Sequence, residues 1–430
     1  MSAPEITYPR FPLRRFIREI TDGPFGSSLA SSHYAAEGAR VIRLGNVGAA
    51  RFKEGDAAYI SLEYFKELRQ YEVKSGDLII AGLGDSNHPV GRACVAPPGL
   101  GPAIVKADCF RTRLDEERLS HRYAAWALSS SFVSGQVHTL TRGSTRARIN
   151  LDVAREIQLP VPPAEEQHRI ADFLDAETAR IHEISKAHSN QVTLLTERHR
   201  SWLSELSTEL TQKYGSVRLR HVLVGIEQGW SPQCEERLAG EGEWGVIKAG
   251  CVNGGIFDSL QHKRLPPSIE PRREYQIKPG DLLMSRASGS TDLIGSTGIV
   301  PDIDQQLLLC DKIYRLHVNK ARGRTEFIAH MLRTHSVREH LKLGISGAAG
   351  MANNLPTPVV KDCVLPDVPL AEQDSAIAQL THMGELLSQT QSALERQITR
   401  LAERRQALIT AAVTGQFNVS SASGRGVDTP

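Results

Sequence analysis

Three guanidinium groups and two hydroxyls fall within seven residues, Arg142-Gly-Ser144-Thr145-Arg146-Ala-Arg148. Arginine carries a planar fork of donors that matches a phosphate, or the O6 and N7 edge of guanine. Small residues between the arginines let backbone amides approach a phosphate closely. A charge cluster alone is equally the pattern of a solvated face. More cations gather at Arg40, Arg43, Arg51 and Lys53, at Arg111 and Arg113, and in the second half at Lys263, Arg264, Arg272, Arg273 and Lys278. Overall charge does not announce them: 51 Lys and Arg face 49 Asp and Glu, a net of +2. Any basic surface therefore comes from uneven placement.

Patterns for enzymatic chemistry are thin. Asp22-Gly-Pro-Phe25 is a near miss to the Asp-Pro-Pro-Tyr/Phe motif of adenine amino-methyltransferases, with Gly23 where a proline is needed. Gly82-Leu-Gly84 lacks the third glycine of a dinucleotide fingerprint, and no Gly-x-x-x-x-Gly-Lys-Ser/Thr loop or His-Glu-x-x-His spacing occurs. Ser27 and Ser28 have no base nearby in sequence and read as turn hydroxyls. No catalytic or metal-ligating residue is assigned. The six cysteines include no Cys-x-x-Cys pair, which argues against zinc ribbons and disulfide frameworks and fits the cytoplasm. No apolar run approaches the roughly 18 residues of a membrane span, and no secretory signal opens the chain.

The elements that must position these residues come in duplicate. Tyr71-Glu-Val-Lys-Ser-Gly-Asp77-Leu78 returns as Tyr275-Gln-Ile-Lys-Pro-Gly-Asp281-Leu282. Leu159-Pro160 with Pro163-Ala-Glu-Glu166-Gln167 returns as Leu365-Pro366 with Pro369-Leu-Ala-Glu372-Gln373. Val41-Ile42-Arg43 matches Val246-Ile247-Lys248, and Gly143 and Asn150 match Gly347 and Asn354. Offsets of 204 to 206 in 430 residues mean a duplicated domain, since solenoid units run to roughly 20–50 residues. Between these anchors the copies diverge: Gly82-Leu-Gly-Asp-Ser-Asn87 stands where Ser285-Arg-Ala-Ser-Gly-Ser290 stands. Shared framework reads as fold, divergent loops as selectivity or drift.

Each copy opens with short apolar runs between Gly, Pro and Asn punctuation, such as 41–44, 77–81 and 92–96, which predict strands. One helical pattern interrupts, at 121–128 and again at 326–332. After Pro162-Pro163 the chain runs to about Lys213 without Gly or Pro, which predicts a helix of some 45 residues. Its seam reads Ile170, Leu174, Glu177, Ile181, Ile184, His188, Gln191, Leu195, Arg198 and Trp202. After Pro369 a second seam reads Ile377, Leu380, Gly384, Leu387, Gln391, Leu394, Ile398, Leu401, Arg405, Leu408 and Ala412. At 1.5 Å per residue each helix extends about 65–70 Å, and packing the two antiparallel as a spacer buries both seams. The fold class is α+β: two similar mixed α/β globular domains separated by two long helices in an antiparallel coiled coil. The expected boundaries are 1–9 disordered, 10–160 first domain, 161–213 helix, 214–366 second domain, 367–414 helix and 415–430 disordered.

This order of parts resembles the DNA-specificity subunit of type I restriction–modification systems over residues 10–417. Asp22-Gly-Pro-Phe-Gly-Ser-Ser28 with Val41-Ile-Arg-Leu-Gly-Asn46 is similar to the start of that family's target-recognition domain. Lys278-Pro-Gly-Asp281 and Leu293-Ile-Gly-Ser-Thr-Gly-Ile-Val300 resemble the strands that follow. The two Pro-x-x-Glu-Gln segments resemble the beginnings of its conserved helices, and Arg404-Arg-Gln-Ala-Leu-Ile-Thr-Ala-Ala-Val-Thr-Gly-Gln416 resembles its C-terminal helix end. The resemblance implies a non-catalytic subunit that binds double-stranded DNA at a split, asymmetric site, one half per domain. It implies two copies of an adenine methyltransferase docked on the helices, with motor–nuclease subunits joining. S-adenosylmethionine, ATP and Mg²⁺ would belong to those partners, and no cofactor to this chain. A specificity subunit for a fused methyltransferase–nuclease, a DNA adenine methyltransferase, and a two-headed scaffold without nucleic acid are the alternatives.

On this reading the DNA-contact candidates are Ser27, Ser28, Arg43, Asn46, Arg92, Arg142, Ser144, Thr145, Arg146 and Arg148 in the first domain. Those in the second are Trp230, Ser231, Lys248, Arg286, Ser288, Ser290 and Asn353. Arg142, Arg146 and Arg148 are expected on phosphates, Arg43 and Arg286 on base edges. Candidates for subunit docking are Ile170, Leu174, Ile181, Ile184, Leu195 and Trp202, and Ile377, Leu380, Leu387, Leu394, Ile398, Leu401 and Leu408.

Overall fold

The computed structural model describes residues 7–85, 88–140, 147–346 and 353–419. The chain divides into two compact units: residues 1–188 with 395–430, and residues 189–394. The cuts at His188 and Leu394 lie 206 positions apart, the offset of the sequence repeat.

In the first unit a four-stranded antiparallel sheet runs in the order Ile17–Asp22, Cys109–Leu114, Leu78–Ala81, Ala93–Val95. A second sheet orders Tyr34–Ala35, Tyr59–Ile60, Ala39–Ile42 and Ala103–Val105, the last pair parallel. In the second unit the order is Leu223–Gln228, Ile313–Val318, Leu282–Ser285, Thr297–Ile299. Its smaller sheet places Trp244–Ile247 between His262–Arg264 and the parallel Gln306–Leu308. The helices expected at 121–128 and 326–332 are His121–Leu128 and Thr325–Met331.

The repeated Lys-x-Gly-Asp-Leu motif is a turn that launches the central strand of each unit. Gly76 (φ 90°) and Gly280 (φ 86°) occupy the left-handed region that a side chain would strain. The next residue closes the turn, Asp77 accepting from Lys74 N–H at 2.9 Å and Asp281 from Lys278 N–H at 2.9 Å. The same carboxylates take a guanidinium from the neighbouring strand, Arg113 on Asp77 (2.9 Å) and Arg315 on Asp281 (2.9 Å). Leu78, Ile79, Ile80 and Ala81 are all fully buried, so that strand has no solvent face. The motif persists because turn, charge pair and core strand are one device.

The two long helices run Ala164–Tyr214 and Leu370–Thr414. In the first unit the opening turns of the first helix (Ile170, Ala171, Leu174) share a core with the closing turns of the second (Ile409, Ala412, Val413) and with Tyr123, Ala124 and Leu128. In the second unit the roles exchange: Leu203 near the end of the first helix meets Ala376 and Leu380 near the start of the second, against Phe327 and Ile328. The helices are therefore antiparallel within each unit, and neither is a domain of its own.

The seam departs from strict heptads in its middle. Ile184 is exposed, as are Gln191 and Arg198, while Ser185, Val192 and His199 are half-buried beside His188 and Leu195. A straight α-helix drifts about 20° per heptad from a 3.5-residue repeat, which moves the buried stripe on by one position. The stripe there is polar, and Gln391 Nε2 donates to Thr196 Oγ1 at 2.8 Å. Residues 7–9 and 415–419 were expected to be disordered, but the described ones are packed. Thr7 N–H reaches Thr414 O at 2.9 Å, Phe417 lies 5.5 Å from Phe173, and Val419 is buried.

Candidate nucleic-acid interface

The strand Ile17–Asp22 ends in a turn that only glycine fits. A Cβ on Gly23 would lie 2.2 Å from the Lys106 carbonyl carbon. Gly229, at the same place in the second unit, would meet Leu309 O at 2.0 Å. This close approach brings Asp22 against the segment 106–108, where its carboxylate accepts from Gly23 N–H (2.8 Å) and Asp108 N–H (2.9 Å). Burial pushes the Asp22 carboxyl up to about 6, against the pull of those two amides. Asp108, itself at φ 65°, accepts from Arg148 Nε at 2.7 Å. The Arg148 guanidinium lies 5.6 Å from the centre of the Phe25 ring, which is 49% exposed. Asp22, Asp108, Arg148 and Phe25 thus close one circuit in the first domain.

Other candidates in this domain hold the scaffold. Arg92 is 6% exposed and donates to the carbonyls of Val47 (2.7 Å), Leu44 (3.1 Å), Leu83 (3.2 Å) and Pro89 (3.0 Å). Asn46 is fully buried; it accepts from Arg43 N–H at 2.8 Å and donates to Lys53 O at 2.8 Å and Asp56 O at 3.0 Å. Neither presents a free polar edge to DNA, because satisfying buried loop carbonyls and amides consumes them. Arg43 is half-exposed and paired with Asp56. Ser27 and Ser28 are exposed on the turn Gly26–Leu29. Arg142, Ser144, Thr145 and Arg146 lie outside the described residues.

In the second unit Trp230 carries Arg272 over its ring at 4.6 Å. Ser231 is bonded to Asp311, and Arg286 spends Nε on Tyr314 Oη (3.0 Å) and Nη1 on Asp311 O (3.2 Å), so the guanidinium expected on a base edge braces its own loop. Ser288 pairs with Asn353 across a two-stranded ribbon, Ser290 N–H bonds Ser288 Oγ at 3.2 Å, and Lys248 is half-exposed. Strand pairing shifts the repeat by two residues here: Leu83 faces Arg148 as Ala287 faces Asn354. Asn150, matched to Asn354 in sequence, is instead the N-cap of Leu151–Glu156, as Pro356 is of Thr357–Lys361. Phe25 and Asp108 were missed as contributors, and Arg272 was noted only as a member of a cation cluster; Phe25 lies in the motif that begins at Asp22.

The docking candidates are mostly internal. Ile170, Leu174 and Leu380 are fully buried, Ile181 is buried, and Leu195, Trp202, Ile377, Leu387, Leu394, Ile398, Leu401 and Leu408 are half-buried on seams or against the domains. Side chains that fill their own core cannot also face a partner; of the set only Ile184 is exposed. Leu194 and Leu386 are exposed apolar positions the seam reading passed over. Among the described residues no cluster of His, Cys, Asp and Glu is placed to hold a metal, and no helix is long and apolar enough to cross a membrane.

Comparison with known proteins agrees with this architecture. Residues 45–194 match the type I restriction modification DNA specificity domain. The EcoKI specificity subunit of Escherichia coli K12 is 22% identical over 88% of this chain and 82% of its own length. The EcoEI specificity subunit of Escherichia coli is 27% identical over 41% of this chain, a match that spans only 30% of that relative. A chain solved in work on complex assembly and conformational transition of the type I R-M system superposes with a TM-score of 0.68 at 15% identity, covering 97% of this chain and all of that one. That likeness establishes a shared fold. By duplicated architecture, domain match and relatives aligned over most of their length, the chain is similar to the specificity subunits of type I restriction–modification systems.

Proposed function

We propose that this chain is the DNA-recognition and scaffold subunit of a type I restriction–modification complex, reading a bipartite, asymmetric site with one half assigned to each domain. The observation that carries this reading is one framework built twice with different loop chemistry. The same turn, charge pair and helix anchor recur in both units, while Phe25 and Arg148 in one stand where Ser231 and Asn354 stand in the other. Arg142 and Arg146, with Ser144 and Thr145 between them, contact phosphates, and each such contact contributes about one unit to the salt slope.

On this reading the chain performs no chemistry. Two methyltransferase subunits dock on the long helices and motor–nuclease subunits join them, in the cytoplasm. S-adenosylmethionine, ATP and Mg²⁺ serve those partners. The test is to co-express the chain with its methyltransferase and map methylated adenines genome-wide. A gapped motif with two unrelated halves is expected. Methylation without a gapped motif, or S-adenosylmethionine binding by the isolated chain, would overturn the assignment.

A further inference from the structure

We propose that Arg148 reads a guanine in the half-site assigned to the first domain, its guanidinium held in one plane by the Asp108 carboxylate and the Phe25 ring. The inference rests on the DNA-recognition reading above and narrows it to one side chain and one base edge.

Three features set Arg148 apart from the other arginines of its domain. Its Nε–H is committed to Asp108 at 2.7 Å, while among the described residues neither Nη group has a hydrogen-bond partner. Its side chain is 56% exposed, so the unspent pair of donors faces solvent. The Phe25 ring fixes the remaining rotation from one face. An arginine tethered at Nε and stacked on an aromatic retains the end-on fork that spans O6 and N7 of guanine, with little freedom left to lose on binding.

Local charge decides between a base and a phosphate. The Arg148 cation is already neutralised by Asp108, and Asp22 stands behind Asp108 through its backbone amide. A phosphate brought to this fork meets a neutral or negative neighbourhood, whereas the uncharged edge of guanine incurs no such repulsion. Its backbone is fixed as well: Arg148 bridges Leu83, Gly84 N–H donates to Ala147 O (3.0 Å), and Ile149 N–H donates to Gly82 O (2.8 Å). Those partners belong to the segment in which the two copies diverge. The second unit places Asn354 at this position, a different donor set on the same frame.

The test uses the complete methyltransferase complex. Once the methylated motif is known, duplexes are made with each guanine of the first domain's half-site replaced singly by 7-deazaguanine, which lacks the N7 acceptor. The wild-type complex should lose roughly 5- to 150-fold in affinity at one guanine. Arg148→Lys keeps the charge and loses the fork; it should lose as much on the natural duplex and become insensitive to that substitution, with the salt slope and the other half-site unchanged. Asp108→Asn should weaken discrimination at the same base. Thermal melting of both variants checks that the domain still folds. A half-site without a G·C pair, or Arg148→Lys that keeps its discrimination or loses affinity for all sequences with a flatter salt slope, would overturn the proposal while leaving DNA recognition intact. A wild-type complex with no selective binding would overturn both.

Discussion

Gln167 and Gln373, 206 residues apart, make the same hydrogen bonds to their own domains. Gln167 Oε1 accepts from Ser120 N–H (2.9 Å), and its Nε2 donates to Arg118 O (3.0 Å) and Pro162 O (3.0 Å). Gln373 accepts from Arg324 N–H (2.8 Å) and donates to Arg322 O (3.3 Å) and Val368 O (2.7 Å). Both are buried in the first turn of a long helix, where they tie it to the loop before a domain helix. The Glu-Gln signature is thus an anchor between helix and domain.

Removing an anchor strands buried amides and carbonyls. Gln167→Ala should cost about 1–3 kcal/mol, and Gln373→Ala a similar amount. With no shared partners the two losses should add within about 0.5 kcal/mol. Denaturant unfolding of the single and double variants measures this. A loss below about 0.3 kcal/mol for either would show the bonds to be incidental.

Gly23→Ala should destabilise the first unit by about 1–3 kcal/mol or more, because the new methyl meets Lys106 backbone rather than a side chain that can turn aside. Gly229→Ala should do the same to the second unit against Leu309 O. Gly55→Ala, with open space at its Cβ, is the control expected to stay within about 0.5 kcal/mol.

Acid should weaken the second unit through His330. Burial first, then Arg333 and His199, lower its pKa from 6.5 to about 4. The folded state therefore excludes a proton that the unfolded chain accepts. Stability is full above about pH 6.5, falls as pH drops towards 4, and changes no further below that on this account, by at most about 3 kcal/mol. His330→Leu should flatten that part of the pH–stability curve. An unchanged slope in the variant would assign the acid sensitivity elsewhere.

Replacing residues 10–158 with the matching domain of a relative should change one half of the methylated motif and leave the other as it was. Each unit has its own sheets and core, so base readout in one has no structural reason to depend on the other. Methylome mapping reads the result, and a change in both halves would mean joint recognition.

Sequence alone determined the duplication, the strands near 41–44, 77–81 and 92–96, the short helices at 121–128 and 326–332, and the reach of both long helices. Repeat offsets, turn residues and the absence of Gly and Pro are local signals, and the physics they report is local. The helix expected from Pro163 to about Lys213 is Ala164–Tyr214 for that reason. Site residues were legible by type and not by commitment. Arg43, Arg92, Arg148 and Arg286 look alike in one dimension. Only the folded chain decides that Arg92 meets five carbonyls, that Arg43 meets Asp56, that Arg286 braces Tyr314, and that Arg148 keeps its Nη edge free of partners among the described residues. Those partners come from segments up to 48 residues away, and a guanidinium's availability is set by which acceptors arrive. The seam shows the same division. Composition placed a stripe on the helix, but the 3.6-residue turn, accumulating over fifty-one residues, decided that Ser185 and Val192 line it where Ile184 and Gln191 were expected.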